Sequence, residues 1–468
     1  AMNKKITRKK FLKNASLLTI GFSGFGNYLL SSSLNSLVSL SSSLKSDKNK
    51  ILDLPKGFKY NIISKFGNKM SDGLQVPNHA DGMGCFDLGK NKIALIRNHE
   101  LGRFEEFNFK LDHNKSAFSK IKNIYDFYPK KYIYDNCKDS IPCFGGTTTI
   151  IYDTKNSRIE NEYLSLAGTL INCSGGVTPW GTWISCEETM VRKNKFLIKD
   201  HGYNFEVTPH IKNILTKPSP IKQMGRFRHE AVAFDKKSGA VYQTEDRKDG
   251  MIYRYLANNK TKLLEGGKLQ ALAFKDKYSL DTRNWNEIDV LKNKPYEVEW
   301  IDIKDIESPN DDLRYQGFEK GCARFARPEG MWEHNGEIFF TCTTGGKEKL
   351  GQIWKYVPSE HEGSSDEIKT PAHLELFFES NNSKSLDMCD NITVSPWGDV
   401  IICEDGGGVD YLVGIKADGS SYKIAKNSLN NSELAGACFS PDGEILFVNI
   451  YKPTITLAIT GPWNQFRS

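Results

Sequence analysis

The chain has 468 residues, with 63 Lys and Arg against 57 Asp and Glu and a formal net charge of +6. This near balance gives no indication of a nucleic-acid partner. A content of 39% hydrophobic and 26% charged residues is ordinary for a soluble protein, and the length fits either several small domains or one large repeat domain.

Residues 1–50 predict an export signal followed by a Ser- and Leu-rich tether. Basic residues between Lys4 and Lys10 precede an apolar stretch from Leu17 to Leu30, which is too short and too often interrupted by Ser and Gly to span a membrane. The Arg8-Lys9 pair is similar to a twin-arginine signal whose second Arg is replaced by Lys. We therefore expect a periplasmic or secreted protein with no stable membrane anchor after processing.

From residue 51 onward the sequence predicts short β-hairpins that carry polar or metal-binding residue types at the same end. The first hairpin runs from Asp81 to Glu100 and is followed by a loop-like insertion over residues 103–144. The second runs from Cys173 to Glu188. Cys173 stands where other hairpins begin with an acid, so we interpret it as a metal ligand; the alternative is a small buried residue.

The third hairpin, RHEAVAFDKKSGAVYQTEDR, begins at Arg228 and is the clearest copy of the pattern. It reads as an acid (Glu230), an apolar strand, a turn, a second apolar strand and a pair of acids (Glu245 and Asp246). In a tight antiparallel hairpin the residue at the start of the first strand lies beside the residue at the end of the second. Three carboxylates are therefore expected together, and a cation would hold them.

Three more hairpins follow a second long insertion, which ends near Arg324. They run from Glu329 to Thr344, from Asp390 to Asp405 and from Glu433 to Asn449. Because such hairpins cannot bury their faces alone, they must stack or close into a ring. The sequence thus predicts an all-β fold in which residues 51–468 form a single six-bladed β-propeller with loop insertions and a ring of acids at one mouth. The alternative is a set of separate sheets whose turns are flanked by polar residues.

Clustered carboxylate oxygens suit Ca²⁺, and a thiolate among them suits iron, so the pattern indicates a mixed centre. The candidate ligands are Glu100, Cys173, Glu188, Glu230, Glu245, Asp246, Glu329, Asp390, Glu404 and Asp405. Arg327 lies two residues before Glu329, and its planar guanidinium suits a phosphate group.

Four other residues carry weaker signals. His99 and His229 each precede an acid, and adjacent strand residues point to opposite faces, so we expect both rings to face into their sheets. Cys137 and Cys143 are the one cysteine pair spaced to close a small loop, which an exported protein could stabilise as a disulfide.

Several motifs taken in order resemble the PhoX-type alkaline phosphatase family, in its shorter branch. They are RNHE, GGTTTIIYD, NCSGGVTPWGTWISCEET, GRFRHEAVAFD, ARPEG, DNITVSPWG, CEDGGG and ELAGACFSPDG, and the resemblance covers residues 52–463. It implies a six-bladed propeller whose Ca²⁺/Fe³⁺ cluster hydrolyses phosphate monoesters outside the cytoplasm. It also implies that Cys173 is an iron ligand and that Arg327 helps to bind phosphate. The same resemblance assigns Glu188, Glu230, Glu329 and either Asp405 or Glu404 to the cluster.

We therefore expect a metal-dependent phosphatase, active as a monomer on small-molecule phosphate esters, with Arg327, Glu230 and Glu329 as its catalytic residues. Two alternatives remain open from the sequence. One is a Ca²⁺-dependent propeller hydrolase acting on a phosphotriester or a lactone. The other is a non-catalytic propeller that binds metal.

Overall fold

The computed structural model describes residues 44–103 and 113–466. Within these ranges the chain is mostly β-strand, as predicted. A short α-helix spans Leu313–Glu319, and 3₁₀ turns span Ile124–Asp126, Lys130–Tyr132, Lys222–Met224, Leu263–Glu265, Glu367–Lys369 and Trp463–Phe466. Among the described residues, no helix has the length and apolar character needed to cross a membrane. The predicted export signal falls mainly in residues 1–43, outside the described part of the chain.

The first two sheets follow chain order. Three strands open the described chain: β1 (Leu44–Lys45), β2 (Leu52–Pro55) and β3 (Lys59–Lys65). A four-stranded antiparallel sheet then consists of β4 (Ala80–Gly89), β5 (Lys92–His99), β6 (Gly145–Asp153) and β7 (Arg158–Thr169). A three-stranded sheet consists of β8 (Asn172–Val177), β9 (Trp183–Glu187) and β10 (Asn204–Val207).

The next nine strands form one sheet in the order β11-β12-β13-β14-β15-β19-β18-β17-β16. Their bounds are β11 His229–Phe234, β12 Val241–Glu245, β13 Ile252–Ala257, β14 Gly267–Phe274, β15 Pro295–Asp302, β16 Pro328–His334, β17 Glu337–Cys342, β18 Gln352–Val357 and β19 Ala372–Glu379. Strand β15 therefore joins the outer edges of two four-stranded units. Both β14 and β15 lie in the segment that the sequence predicted as a loop insertion.

The last two sheets are completed by strands from the beginning of the chain. One contains β20 (Cys389–Val394), β21 (Val400–Glu404), β22 (Tyr411–Ile415) and β23 (Ser421–Asn427), followed by β2 and β1. The other contains β24 (Leu434–Phe439), β25 (Leu446–Ile450) and β26 (Ile455–Thr460), followed by β3. The described part of the sheet that contains β1 thus includes Leu44, inside the segment predicted to be an export signal and tether.

The first strands of the six hairpins contact one another in a closed series. Strand β4 contacts β8, β8 contacts β11, β11 contacts β16, β16 contacts β20, β20 contacts β24, and β24 contacts β4. Glycine allows the closest approaches: a Cβ on Gly176 would lie 2.0 Å from the carbonyl oxygen of Val232. The sheets are therefore arranged like the blades of a propeller around a shared axis, and apolar side chains such as Trp183 and Trp354 fill the space between them.

The third hairpin shows why these sequences turn. All six residues of β11, HEAVAF, are buried, and the chain then reaches Asp235, whose carboxylate accepts the backbone N–H of Ser238 at 2.9 Å. Gly239 follows with φ +81°, a conformation that favours glycine. The backbone N–H of Asp235 donates to the carbonyl oxygen of Ala240 at 2.9 Å, which closes the turn. Strand β12 begins at the residue after Ala240.

Candidate metal centre

A β-bulge interrupts each of the six hairpins at the same place. In the third hairpin His229 pairs with Glu245 and Val232 pairs with Gln243, so three steps along β11 match two along β12. The same irregularity lies between Ala80 and Met83, Asn172 and Gly175, Pro328 and Met331, Cys389 and Ile392, and Ala435 and Cys438. Since a bulge redirects the side chain of its extra residue, the six bulges determine what faces the axis.

Each bulge begins at the first residue of the pair just given, such as His229 in the third hairpin. The next residue along the strand is acidic in four hairpins and a cysteine in a fifth. These residues are Asp81, Cys173, Glu230, Glu329 and Asp390. In the sixth hairpin the position is Gly436, with φ +63°, where a Cβ would lie 2.2 Å from the carbonyl oxygen of Asp81. The recurring acids of the sequence pattern are thus brought together by bulges rather than by regular strand pairing.

Four groups of side chains, each with ligand atoms within 4.8 Å of one another, form one continuous cluster because neighbouring groups share a member. The groups are Asp81–Glu100–Cys173, Cys173–Glu188–Glu230, Glu230–Glu329–Asp390 and Asp390–Asp405–Glu433. We call these nine residues the central cluster. They come from positions 81 to 433 of the chain.

Polar residues around the central cluster hold its members in place. The Cys173 thiol lies 3.1 Å from Glu230 Oε1 and 3.5 Å from Asp81 Oδ2. Tyr451 donates its hydroxyl hydrogen to Glu100 Oε2 at 2.5 Å. The amide of Asn391 donates to Asp81 Oδ1 at 3.3 Å, which fixes this carboxylate against the axis.

Burial raises the pKa of all eight carboxyl groups of the central cluster, and the neighbouring acids add to the increase. The pKa of Glu100 and that of Asp390 rise to about 7. Burial likewise raises the pKa of the Cys173 thiol. Buried atoms Glu230 Oε2 and Asp390 Oδ1 have no hydrogen-bond partner. A buried carboxylate oxygen without a hydrogen-bond partner costs free energy, so the oxygen and sulfur atoms of the central cluster fit bound cations.

Two arginines border the central cluster on the side that reaches solvent. Arg327 donates from Nε and Nη2 to the two carboxylate oxygens of Asp246 at 2.9 and 3.0 Å, and it also forms an ion pair with Glu329. Arg228 donates to Glu188 at 2.5 Å. The side chain of Arg327 is 26% exposed, so its guanidinium links the buried acids to the outside. The adjacent carboxylate of Glu329 raises the pKa of Arg327.

The backbone at Arg327 is unusual for a residue with a side chain, since its φ is +54°. Its N–H donates to the carbonyl of Arg247 at 2.9 Å and its carbonyl accepts the N–H of Thr343 at 3.0 Å. Such a conformation persists where the surroundings hold it, and it is common at functional sites.

The structure brings together seven of the ten predicted ligands: Glu100, Cys173, Glu188, Glu230, Glu329, Asp390 and Asp405. Asp246 lies at the edge of the central cluster, bound to Arg327. Burial alone would raise its pKa, but Arg327 and Arg228 outweigh that effect and lower it. This carboxylate therefore remains ionised and holds the arginine.

Glu245 and Glu404 are directed elsewhere, which corrects the prediction for both. Glu245 is paired across the hairpin with His229, and Glu404 is paired with Cys389. The side chains of paired residues lie on the same face of a sheet, so both glutamates lie on the face of these partners and not on the face that carries Glu230 and Asp390. Glu245 accepts the hydroxyl of Tyr253 at 3.0 Å. Glu404 accepts the ammonium of Lys423 at 2.8 Å. The sequence pattern did not reveal the bulges, and regular pairing would have grouped these acids with the others.

The two histidines face into their sheets as predicted. His99 Nδ1 lies 2.9 Å from the carbonyl of Asn78, and His229 Nε2 lies 2.9 Å from the carbonyl of Gly225. Neither histidine belongs to the central cluster.

Asp81 and Glu433 belong to the central cluster although the sequence did not single them out as ligands. The signal for both was present, since each begins a hairpin of the repeated pattern. Glu433 differs in position: it lies immediately before β24, whereas the bulge of that hairpin carries Gly436.

Glu404, which pairs with Lys423, and Glu230, which belongs to the central cluster, should respond differently to substitution. Glu404→Gln is expected to lower the free energy of unfolding by about 3–5 kcal/mol, because it leaves the buried Lys423 ammonium without its partner. Bound metal should be retained. Glu230→Gln is expected to lose bound metal instead. Urea denaturation and elemental analysis of both variants check this prediction, and metal loss in Glu404→Gln with retention in Glu230→Gln would contradict it.

The comparisons with known proteins agree with this geometry. Residues 40–454 match the family described as Alkaline phosphatase PhoX. Pseudomonas fluorescens PhoX in complex with vanadate, a transition state analogue, has a TM-score of 0.64 at 17% identity, covering 90% of this chain and 97% of that chain. No curated protein matches the sequence.

Two further solved structures are more distant. A gluconolactonase from Xanthomonas campestris gives a TM-score of 0.39 at 9% identity, covering 87% of this chain and 96% of that chain. Luciferin-regenerating enzyme gives 0.43 at 9% identity, covering 86% of this chain and 96% of that chain. Likenesses this weak carry no functional argument. The family match, in contrast, extends over most of the 468 residues, and the chain therefore belongs to the PhoX alkaline phosphatase family and is a phosphoric ester hydrolase.

Proposed function

We propose that this protein is an exported phosphatase that hydrolyses phosphate monoesters of small molecules at the central cluster, with Ca²⁺ and Fe³⁺ as its metals. The observation that carries the proposal is the convergence of eight carboxylates and one thiol, with buried oxygens that lack partners, beside a partly exposed arginine. Action as a monomer and export to the periplasm or medium are parts of the same proposal.

The proposed architecture is a six-bladed propeller. Its support is the closed series of contacts among β4, β8, β11, β16, β20 and β24. On this count the nine-stranded sheet supplies two blades that β15 links at their outer edges. The central cluster then lies at one mouth of the channel, where the bulged ends of the six first strands meet.

The donor atoms suggest where each metal would bind. Cys173, with Asp81 and Glu230 beside it, offers a thiolate and hard oxygens that suit iron. The group of Asp390, Asp405 and Glu433 offers oxygens alone, which suit Ca²⁺. When bound, the metals would supply positive charge that polarises a phosphoryl oxygen.

Arg327 would bind and orient the ester. Its guanidinium is planar, always protonated and held by both oxygens of Asp246, so it would present its remaining donors in a fixed direction. A phosphate arriving from solvent would meet this side chain at the border of the cluster. Pseudomonas fluorescens PhoX, which has a similar fold, binds vanadate, a transition state analogue, and this supports an oxyanion ligand for the present chain. Glu230 and Glu329 would hold their metals through carboxylates that neighbouring groups already orient.

The test is hydrolysis of an aryl phosphate by the purified full chain, together with elemental analysis. We expect turnover with Ca²⁺ and iron bound, loss of turnover with a chelator, and recovery when both metals are restored. A phosphodiester, a phosphotriester and a lactone serve as comparison substrates. Full turnover of the monoester by metal-free protein would overturn the proposal, as would preference for the triester or the lactone. Fractionation of cells producing the full chain tests export, and protein confined to the cytoplasm would refute that part.

A further inference from the structure

We propose a second metal site, separate from the central cluster, in which Asp135, Cys137, Cys143 and His201 bind a structural Zn²⁺. These residues lie in the segments that lead into β6 and β10. The ligand atoms of Asp135, Cys137 and Cys143 all lie within 4.8 Å of one another. His201 lies beside this group from the other segment, with its Nε2 next to Cys143 Sγ and Asp135 Oδ2.

Three of the donor–donor distances lie close to the edges of a tetrahedral site. The two sulfur atoms are 3.6 Å apart, Cys143 Sγ lies 4.0 Å from His201 Nε2, and His201 Nε2 lies 3.3 Å from Asp135 Oδ2. Zinc bonds of about 2.3 Å to sulfur and about 2.0 Å to nitrogen or oxygen place tetrahedral ligands roughly 3.3–3.8 Å apart. Two sulfurs, one nitrogen and one oxygen form a donor set that favours zinc.

The second ring nitrogen of His201 has the partner that zinc-binding histidines usually have. His201 Nδ1 donates to Glu187 Oε1 at 2.7 Å. Glu187 Oε2 in turn accepts the backbone N–H groups of Gly202 and Tyr203 at 2.8 and 3.2 Å. This carboxylate fixes the tautomer and the orientation of the ring, and it leaves Nε2 facing Cys143 Sγ and Asp135 Oδ2.

The remaining ligands are also held before any ion binds. Asp135 accepts the backbone N–H of Cys137 at 2.7 Å and that of Lys199 at 2.9 Å, so its carboxylate bridges the two segments. All four ligands are buried, and apolar side chains surround the sulfurs. A buried site with four protein ligands has no open position, which is typical of structural zinc. On binding, the two thiols and His201 Nε2 would release their protons to solvent.

The location suggests what the zinc would do. Glu187, the partner of His201, ends β9, and the next residue, Glu188, belongs to the central cluster. The zinc would therefore fasten the two loop segments to the strand that presents Glu188, without touching the cluster itself.

The experiment uses the full chain produced with added Zn²⁺ and then desalted. We expect one zinc per chain in the wild type, and the same in Cys173→Ala, which alters the central cluster. Cys143→Ala should lose the zinc. Cys186→Ala is the matched control, since Cys186 is equally buried but belongs to none of the groups of metal-binding side chains, and it should keep the zinc.

Two measurements remain decisive if Cys143→Ala fails to fold. Cys173→Ala loaded with Co²⁺ should show a thiolate-to-cobalt charge-transfer band and the strong visible absorption of a tetrahedral site. Mercurial modification of wild-type thiols should release the zinc. Absence of the cobalt band would overturn the proposal. So would mass spectrometry showing that Cys137 and Cys143 form a disulfide in the protein as isolated, because oxidised sulfurs cannot bind the ion.

Discussion

Arg327→Ala should lower kcat/KM for an aryl phosphate by about 10²–10³-fold, the usual effect of removing one charged donor that stabilises a developing oxyanion. The variant removes an arginine that both pairs with Asp246 and contacts Glu329. Arg327→Lys should recover little of the loss, since an ammonium cannot reproduce the two parallel bonds of the guanidinium.

Arg324→Ala is the matched control for this result. Arg324 lies three residues earlier, is 33% exposed and pairs with Asp281 at 2.8 Å, away from the central cluster. Its kcat/KM should stay near that of the wild type. Steady-state kinetics on all three variants, with metal content measured on the same samples, distinguish loss of ester binding from loss of metal. Wild-type kcat/KM in Arg327→Ala with full metal content would contradict the assigned role.

The metal-free protein should be less stable at pH 8.5 than at pH 5.5, and bound Ca²⁺ should remove most of this dependence. Glu100 and Asp390 have pKa values raised to about 7, so between their ordinary values and pH 7 the folded state keeps protons that the unfolded state has lost. Stability therefore falls as pH rises through this window, because the folded state must then bury charged carboxylates. The expected loss is on the order of a few kcal/mol.

Urea denaturation in the presence of a chelator, at pH 5.5, 7.0 and 8.5, measures the effect. The double variant Glu230→Gln/Asp390→Asn should flatten the pH dependence, since two of the buried acids are then neutral at every pH. A free energy of unfolding that is constant with pH in the metal-free wild type would show that the acids are not held together without metal.

The sequence predicted the all-β, propeller-like arrangement and most members of the central cluster because both depend on a repeated local pattern. Alternating apolar residues between two acids were sufficient to identify each hairpin, and the start of β11 at His229 follows that pattern closely. What the pattern could not reveal is a one-residue insertion in strand pairing, which leaves no mark on composition. Glu230 faces the axis and Glu245 does not for this reason alone.

The second metal site was beyond the reach of sequence reasoning for a different reason. Cys137 and Cys143 were noticed as a pair, but His201 lies far along the chain, in a polar segment with no periodicity. Only the fold shows that Glu187 orients the ring of His201 and that its Nε2 lies beside the sulfur of Cys143.

Because β3 completes the sheet that ends with β26, the first and last parts of the chain must meet before the ring can close. Tyr451 reaches Glu100 across 351 positions, and Asn449 reaches the backbone of Asp81 across 368. A chain still emerging from the ribosome therefore lacks the side chains of Asn449 and Tyr451 that contact the central cluster. We therefore expect ion capture to follow the synthesis of Asn449 and Tyr451, and folding dominated by such distant pairings is slow.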